Sequence, residues 1–115
     1  MEAKIGNVLY PVEDVEKAIA FYNVAVGLPL KFQDGARFAA LDGGSTTFAL
    51  AGAEEQVAGR AAAVSFKVPD VAAAVREIEA AGGVVVAPAA EGPHEVRAVV
   101  QDPWGNAFIV YGPKK

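Results

Sequence analysis

The side chains that could do chemistry in this chain are few and scattered. His94 is the only histidine, and cysteine is absent. Thiol catalysis, disulfides and Cys-ligated zinc are therefore excluded. Imidazole suits proton transfer near neutral pH and transition-metal binding, and the carboxylate beside His94 is Glu95. On one strand the two would project from opposite sheet faces and could not share an ion. His94, following Pro93, reads as a solvated loop residue. Lys67 and Tyr111 are candidates for general acid–base work. Their simpler readings are a stem carrying an ammonium to solvent and a rim residue with a wet hydroxyl. Trp104 reads as a turn residue packed on its neighbour. No Gly-rich phosphate cradle of the Walker or Rossmann kind is present.

Composition narrows the partners. The formal net charge is −4, and no Lys/Arg cluster exceeds the terminal Lys114-Lys115. Duplex binding needs several cations on one face, and a membrane surface needs a polybasic patch, so neither nucleic acid nor membrane is expected. Hydrophobic residues make up 53% of the chain, enough for one core, which Ala and Val would fill by close backbone packing. A cysteine-free chain whose first residues, Met1-Glu2-Ala3-Lys4, lead straight into a strand-like segment is expected in the cytoplasm.

The elements that must position these residues are written twice. A shift of 56 lays Val8–Leu30 over Val64–Val86, with seven identities in 23 positions. Val8, Val12, Asp14, Val15, Ala18, Ala25 and Gly27 meet Val64, Val68, Asp70, Val71, Ala74, Ala81 and Gly83. A shift of 60 lays Asp42, Phe48 and Gly52 over Asp102, Phe108 and Gly112. The matches fall on caps and turns as well as on Ala and Val, so the repeat is structural. The four extra residues of the second copy are assigned to a loop around Pro88–Pro93.

Each copy reads strand, helix, three strands. Ile5–Val12 is β-branched and apolar. Asp14 is placed to cap a helix whose buried stripe is Val15, Ala18, Ile19, Tyr22 and Val26, and Gly27 to end it in a left-handed turn. Asp70 and Gly83 are expected to do the same for Val71, Ala74, Val75, Ile78 and Gly82. The predicted strands that follow are Leu30–Gln33, Ala36–Leu41 and Thr46–Ala51, then Val84–Ala87, Glu95–Gln101 and Asn106–Tyr111. One domain over 1–115 is expected, with module one at 4–52, a linker at 53–60 and module two at 61–112. A ferredoxin-like fold is excluded because it has two strands after its first helix.

Val12-Glu13-Asp14-Val15-Glu16-Lys17-Ala18-Ile19-Ala20-Phe21-Tyr22, the helix-ending Gly27-Leu28 and Asp102-Pro103-Trp104-Gly105-Asn106 resemble the vicinal oxygen chelate superfamily. That superfamily includes glyoxalase I, bleomycin-resistance proteins, extradiol dioxygenases and fosfomycin-resistance proteins. The resemblance covers nearly the whole chain. It implies an α+β fold in which two tandem βαβββ modules curve a mixed sheet around a cleft. Metal-using members carry a His or Glu ligand on the first and last strand of each module, positions that fall here on Asn7, Ala49, Ala63 and Ile109. Ala and Ile cannot ligate, Asn offers one neutral oxygen, and the neighbouring positions hold no ligand either. No metal and no other cofactor is therefore expected.

Strand alternation from these positions predicts the rest of the cleft face. Asn7, Leu9, Ala49, Ala63, Ser65, Ile109 and Tyr111 are expected to line one concavity, mostly small and apolar, as suits an apolar or aromatic ligand. The chain resembles the resistance proteins that sequester a drug without metal, which makes a small-molecule binding protein the leading expectation. One alternative is an enzyme, of lyase, isomerase or dioxygenase-like type, working through Lys67 or Tyr111. Another is a protein whose cleft has packed shut, against which Ala49, Ala63 and Ala107 argue. A homodimer is expected, as superfamily members often dimerise.

Overall fold

The computed structural model describes residues 2–114 apart from the side chain of Val26, so that member of the predicted stripe, Met1 and Lys115 lie outside the described residues. The element order is the one the repeat predicts. The first copy runs β1 (Lys4–Pro11), α1 (Val15–Val26), β2 (Leu30–Asp34), β3 (Phe38–Asp42), β4 (Thr47–Ala51). The second runs β5 (Ala63–Lys67), α2 (Val71–Ala80), β6 (Val84–Glu91), β7 (Val96–Gln101), β8 (Ala107–Gly112). The chain forms two compact units, Asn7–Ala62 and the residues from Ala63 onward with the segment up to Gly6.

In the first unit the strands lie in the order β2-β3-β4-β1. β1 runs parallel to β4, and the other pairs are antiparallel. In the second the order is β6-β7-β8-β5, with β5 parallel to β8. Leu9 pairs with Ala49 in the first and Ser65 with Ile109 in the second, so the two shifts read from the sequence place equivalent residues in equivalent pairs.

Each helix covers one face of its own sheet. Val15, Ala39, Leu41 and Leu50 form a core cluster, with Ala18, Ile19, Tyr22 and Phe48 against it. Tyr22 and Tyr10 both meet the Phe48 ring edge-on, at 4.9 and 4.8 Å between centroids. In the second unit Val68, Val71, Ala74, Ala98 and Val110 cluster, backed by Phe66, Val75, Ile78 and Phe108. Apolar side chains at 3.6-residue spacing on the helix meet alternate residues on the strands, and burial of both drives the packing.

The helix starts are local in origin. Asp14 accepts the Lys17 N–H at 3.1 Å and Asp70 the Ala73 N–H at 3.1 Å, each satisfying a first-turn donor. Gly27 ends α1 with φ 80°. The second helix ends differently from the expectation: the left-handed residue is Gly82, at φ 103°, and not Gly83. Gly83 is needed for closeness instead, since a Cβ there would fall 2.5 Å from Ile78 Cγ2.

Two further expectations are corrected. The stretch from Pro88 is not loop: β6 continues to Glu91, with pairing irregularities between Val85 and Ala87 and between Ala87 and Ala90. Proline is tolerated because β6 lies at the end of the strand order, where a missing N–H leaves no ladder bond unmade. The extra residues therefore go mainly into a longer β6–β7 hairpin, which carries one more bulge than β2–β3. One of them lies in the β7–β8 hairpin, for Asp42 pairs with Thr47 but Gln101 with Ala107. Trp104 is not packed on a neighbour; it stands 83% exposed at the tip.

The predicted linker begins as a packed turn. Ala53–Glu55 form a short 3-10 helix. Glu55 is only 8% exposed and meets Arg37 at 2.6 Å, while Gln56 Nε2 donates to the carbonyls of Val12 and Ala51.

Candidate functional site

Register fixes which side chains leave the helix face. In the first unit the α1 cluster takes Ala39, Leu41, Phe48 and Leu50, so Ala40, Ala49, Thr47, Leu9 and Asn7 belong to the opposite face. Leu9, Ala49 and Ala40 form one transverse row, and Asn7, Thr47 and Asp42 the next. Ala49 is fully buried. Among the described residues, Asn7 Oδ1 is a buried side-chain oxygen without a hydrogen-bond partner, a costly condition for an amide acceptor.

In the second unit α2 takes Phe66, Ala98, Phe108 and Val110, which leaves Ala63, Ser65, Lys67, Ile109 and Tyr111 on the other face. Ser65, Ile109 and Val99 form one row, and Lys67, Tyr111 and Arg97 another. Ala63, Ser65 and Ile109 are buried. The structure thus brings Asn7, Leu9 and Ala49 together on one sheet face, and Ala63, Ser65, Ile109 and Tyr111 together on the corresponding face of the other.

Tyr111 packs its hydroxyl over the backbone of Gly6, where a Cβ would collide with it. Burial, with the charge of Glu95 adding to it, pushes the phenol above its ordinary value of 10.0. It is therefore protonated at neutral pH and suited to donate a hydrogen bond, not to accept a proton. Glu95 also approaches Arg97 at 3.9 Å. His94 is exposed in the bend that precedes β7.

The Asp-Pro-Trp-Gly-Asn segment is a structural staple. Asp102 accepts the N–H groups of Trp104 and Asn106 at 2.9 Å and the Asn106 side-chain amide at 2.8 Å. The bond from the Asn106 side chain, with the backbone bonds, holds the carboxyl below its usual range. The segment closes a hairpin and carries no reacting group.

The residues do not fit a metal. The four strand positions offer one neutral amide oxygen between them. Among the described residues, no group of three or more His, Cys, Asp or Glu side chains is placed to hold an ion.

Sequence reasoning missed Lys31 and Phe32, which reach the first unit's face turned away from α1, and Arg97 on the second. Strict alternation could not find Lys31, because the pairing of β2 is irregular there. Arg97 was available from alternation with Tyr111 once β7 and β8 were placed.

Comparison with known proteins agrees with this architecture. Residues 4–110 match the family model of the Glyoxalase/Bleomycin resistance protein/Dioxygenase superfamily. An uncharacterized protein of Mycolicibacterium smegmatis is 44% identical over 112 residues, covering 97% of this chain and 96% of that one. Among solved structures, methylmalonyl-CoA epimerase from Mycobacterium tuberculosis superposes with a TM-score of 0.74 at 20% identity, covering 96% of this chain and 88% of that one. A superfamily member from Vibrio splendidus superposes with a TM-score of 0.71 at 16% identity, covering 96% and 99%. The chain belongs to the glyoxalase/bleomycin resistance protein/dioxygenase superfamily. Among the described residues no helix is long and apolar enough to cross a membrane.

Proposed function

We propose that this chain is a metal-independent binding protein for a small organic molecule, apolar or aromatic in its body, such as an antibiotic or a metabolite. The observation that carries the reading is the pairing of an unsatisfied, buried Asn7 Oδ1 with a neighbouring row of small apolar side chains. Where metal-using relatives place ligands, this chain carries the Asn7 amide and three apolar side chains, Ala49, Ala63 and Ile109, which are buried within the chain. Asn7, Leu9 and Ala49 act on the first module, and Ala63, Ser65, Ile109 and Tyr111 hold the corresponding face of the second. The raised Tyr111 phenol is a hydrogen-bond donor at neutral pH and a poor general base.

The test is a thermal-shift screen of aromatic and apolar compounds on the wild type, Ala49→Met and Ala63→Met, with and without a chelator. A ligand at a hundred times its Kd should stabilise the wild type by about 2.7 kcal/mol. At least one variant should lose most of that gain, since a longer side chain fills the face. A ligand that protects all three proteins equally sinks the reading, as does protection that requires a divalent metal.

We also read the protein as a homodimer. β2 and β6 end their strand orders and expose Leu30, Val84 and Val86, and open edges are normally covered or paired. A sedimentation mass near the chain's 11.9 kDa at micromolar concentration would contradict this.

A further inference from the structure

Past its strand ends the second unit leaves an opening that the first unit fills. The Val68 N–H donates to Tyr111 O at 2.8 Å just beyond β5, as the Val12 N–H donates to Ala51 O at 3.0 Å just beyond β1. In the first unit the turn after Gly52 folds back over these ends, and Gln56 Nε2 donates to the carbonyls of Val12 and Ala51. In the second unit the chain passes from Gly112 into Pro113, and the equivalent strand ends border a cleft of about 430 Å³. That size falls within the range of roughly 300–1,000 Å³ usual for small-molecule sites.

The walls of the cleft are chemically divided. Val68, Pro69 and Pro113 supply apolar surface. Both prolines are exposed, and a proline nitrogen has no N–H to offer water or a polar ligand. Lys4 and Lys67 bring two ammonium groups to the same cleft, and Glu2 brings one carboxylate. Both lysines are exposed, and among the described residues neither makes an ion pair or a side-chain hydrogen bond. Like charges sharing a cleft repel, and an anion between them removes that cost. With Glu2 present the lining keeps a single surplus positive charge, on a chain whose net charge is −4. A monoanion matches that surplus, whereas a phosphate dianion would also face the Glu2 carboxylate. The first copy has Pro11, Glu13 and Ala53 at the positions of Lys67, Pro69 and Pro113, so it repeats neither the cation nor the pair of prolines.

We infer that this cleft takes a monocarboxylate with an apolar tail. The carboxylate lies between the Lys4 and Lys67 ammonium groups, and the tail lies against Val68, Pro69 and Pro113. The site requires nothing of Asn7, Ala49 or Ala63, and no bond is made or broken.

The test is a proton–nitrogen NMR titration of the full chain with octanoate, butyrate, 1-octanol and inorganic phosphate, repeated on Lys4→Met and Lys67→Met. The amides of Val68 and Gly112 should shift with octanoate. Butyrate should bind about tenfold more weakly, since it leaves the apolar wall largely uncovered. Each lysine variant should weaken octanoate about fivefold, the upper range for a solvent-exposed ion pair, and leave octanol unchanged. Raising the salt to about 0.5 M should weaken octanoate in the same way, and that comparison needs no variant to fold. If octanoate binds as tightly to both variants and at high salt as to the wild type at low salt, the carboxylate assignment falls. If phosphate binds there more tightly than octanoate, the monoanion with an apolar tail falls. If no probe shifts the Val68 and Gly112 amides, the cleft is not a site. The binding reading tested at Ala49 and Ala63 stands or falls apart from all three results.

Discussion

Alanine at Gly52 or at Gly112 is expected to destabilise the protein by about 3 kcal/mol each, read as a lower urea midpoint with an unchanged slope. Neither glycine is needed for its backbone angles: Gly52 has φ −70° and Gly112 lies outside the left-handed region. Both are needed for closeness. A Cβ at Gly52 would collide with the carbonyl oxygen of Ala36 and come within 3.3 Å of Val15 Cγ2. A Cβ at Gly112 would collide with the carbonyl oxygen of Val68 and come within 3.3 Å of Val71 Cγ2. Val15 and Val71 open the two helices, so the same lock, strand end against helix start, is built once in each copy. Ala36 lies in the turn before β3 and Val68 just past β5, and a backbone carbonyl there moves only with its peptide plane, unlike the end of a flexible side chain. A loss within 0.5 kcal/mol at both sites would show that the strand ends yield.

Arg37→Met is expected to cost about 3 kcal/mol, because it leaves Glu55 as a buried charge without its cation. Arg37 Nη2 meets Glu55 at 2.6 Å, and Nη1 meets Glu54 at 2.8 Å. Glu54 is solvent-exposed, so its share of the pair is small. The double variant Arg37→Met, Glu55→Leu should recover most of the loss, since removing both charges removes the desolvation penalty. Denaturant unfolding of the two single variants and the double separates the terms. If the double variant is as unstable as Arg37→Met, the turn after Gly52 depends on Glu55 for something other than charge pairing.

The parts legible in the sequence are those with local causes. Asp14 and Asp70 could be placed because a carboxylate three residues before a free N–H caps a helix wherever the chain goes. The duplicated spacing then carried the pairings Leu9 with Ala49 and Ser65 with Ile109 from one copy to the other. The candidate faces followed from alternation alone. What alternation could not carry were the bulges of β2 and β6, since a bulge depends on how a strand meets its partner. Lys31 was hidden for that reason, and Pro88 was misplaced as loop. The choice between Gly82 and Gly83 was lost because two adjacent glycines satisfy the same local rule. Glu55 and Arg37 are distant in sequence, so nothing nearby marks an acidic turn residue as buried.

The transverse rows show the copies parting company on one side only. Asn7 and Thr47 in the first copy correspond to Ala63 and Ala107 in the second, while Pro11 and Ala51 correspond to Lys67 and Tyr111. Beneath them the helix-facing residues keep the same character in both copies: Phe48 with Phe108, Leu50 with Val110, Val15 with Val71. Each strand therefore carries two kinds of heredity in alternate residues. One set is bound to the core and keeps its apolar character in both copies, while the other differs between them. In such a duplicated scaffold every second strand position can change its chemistry in one copy without disturbing the helix-facing packing of either.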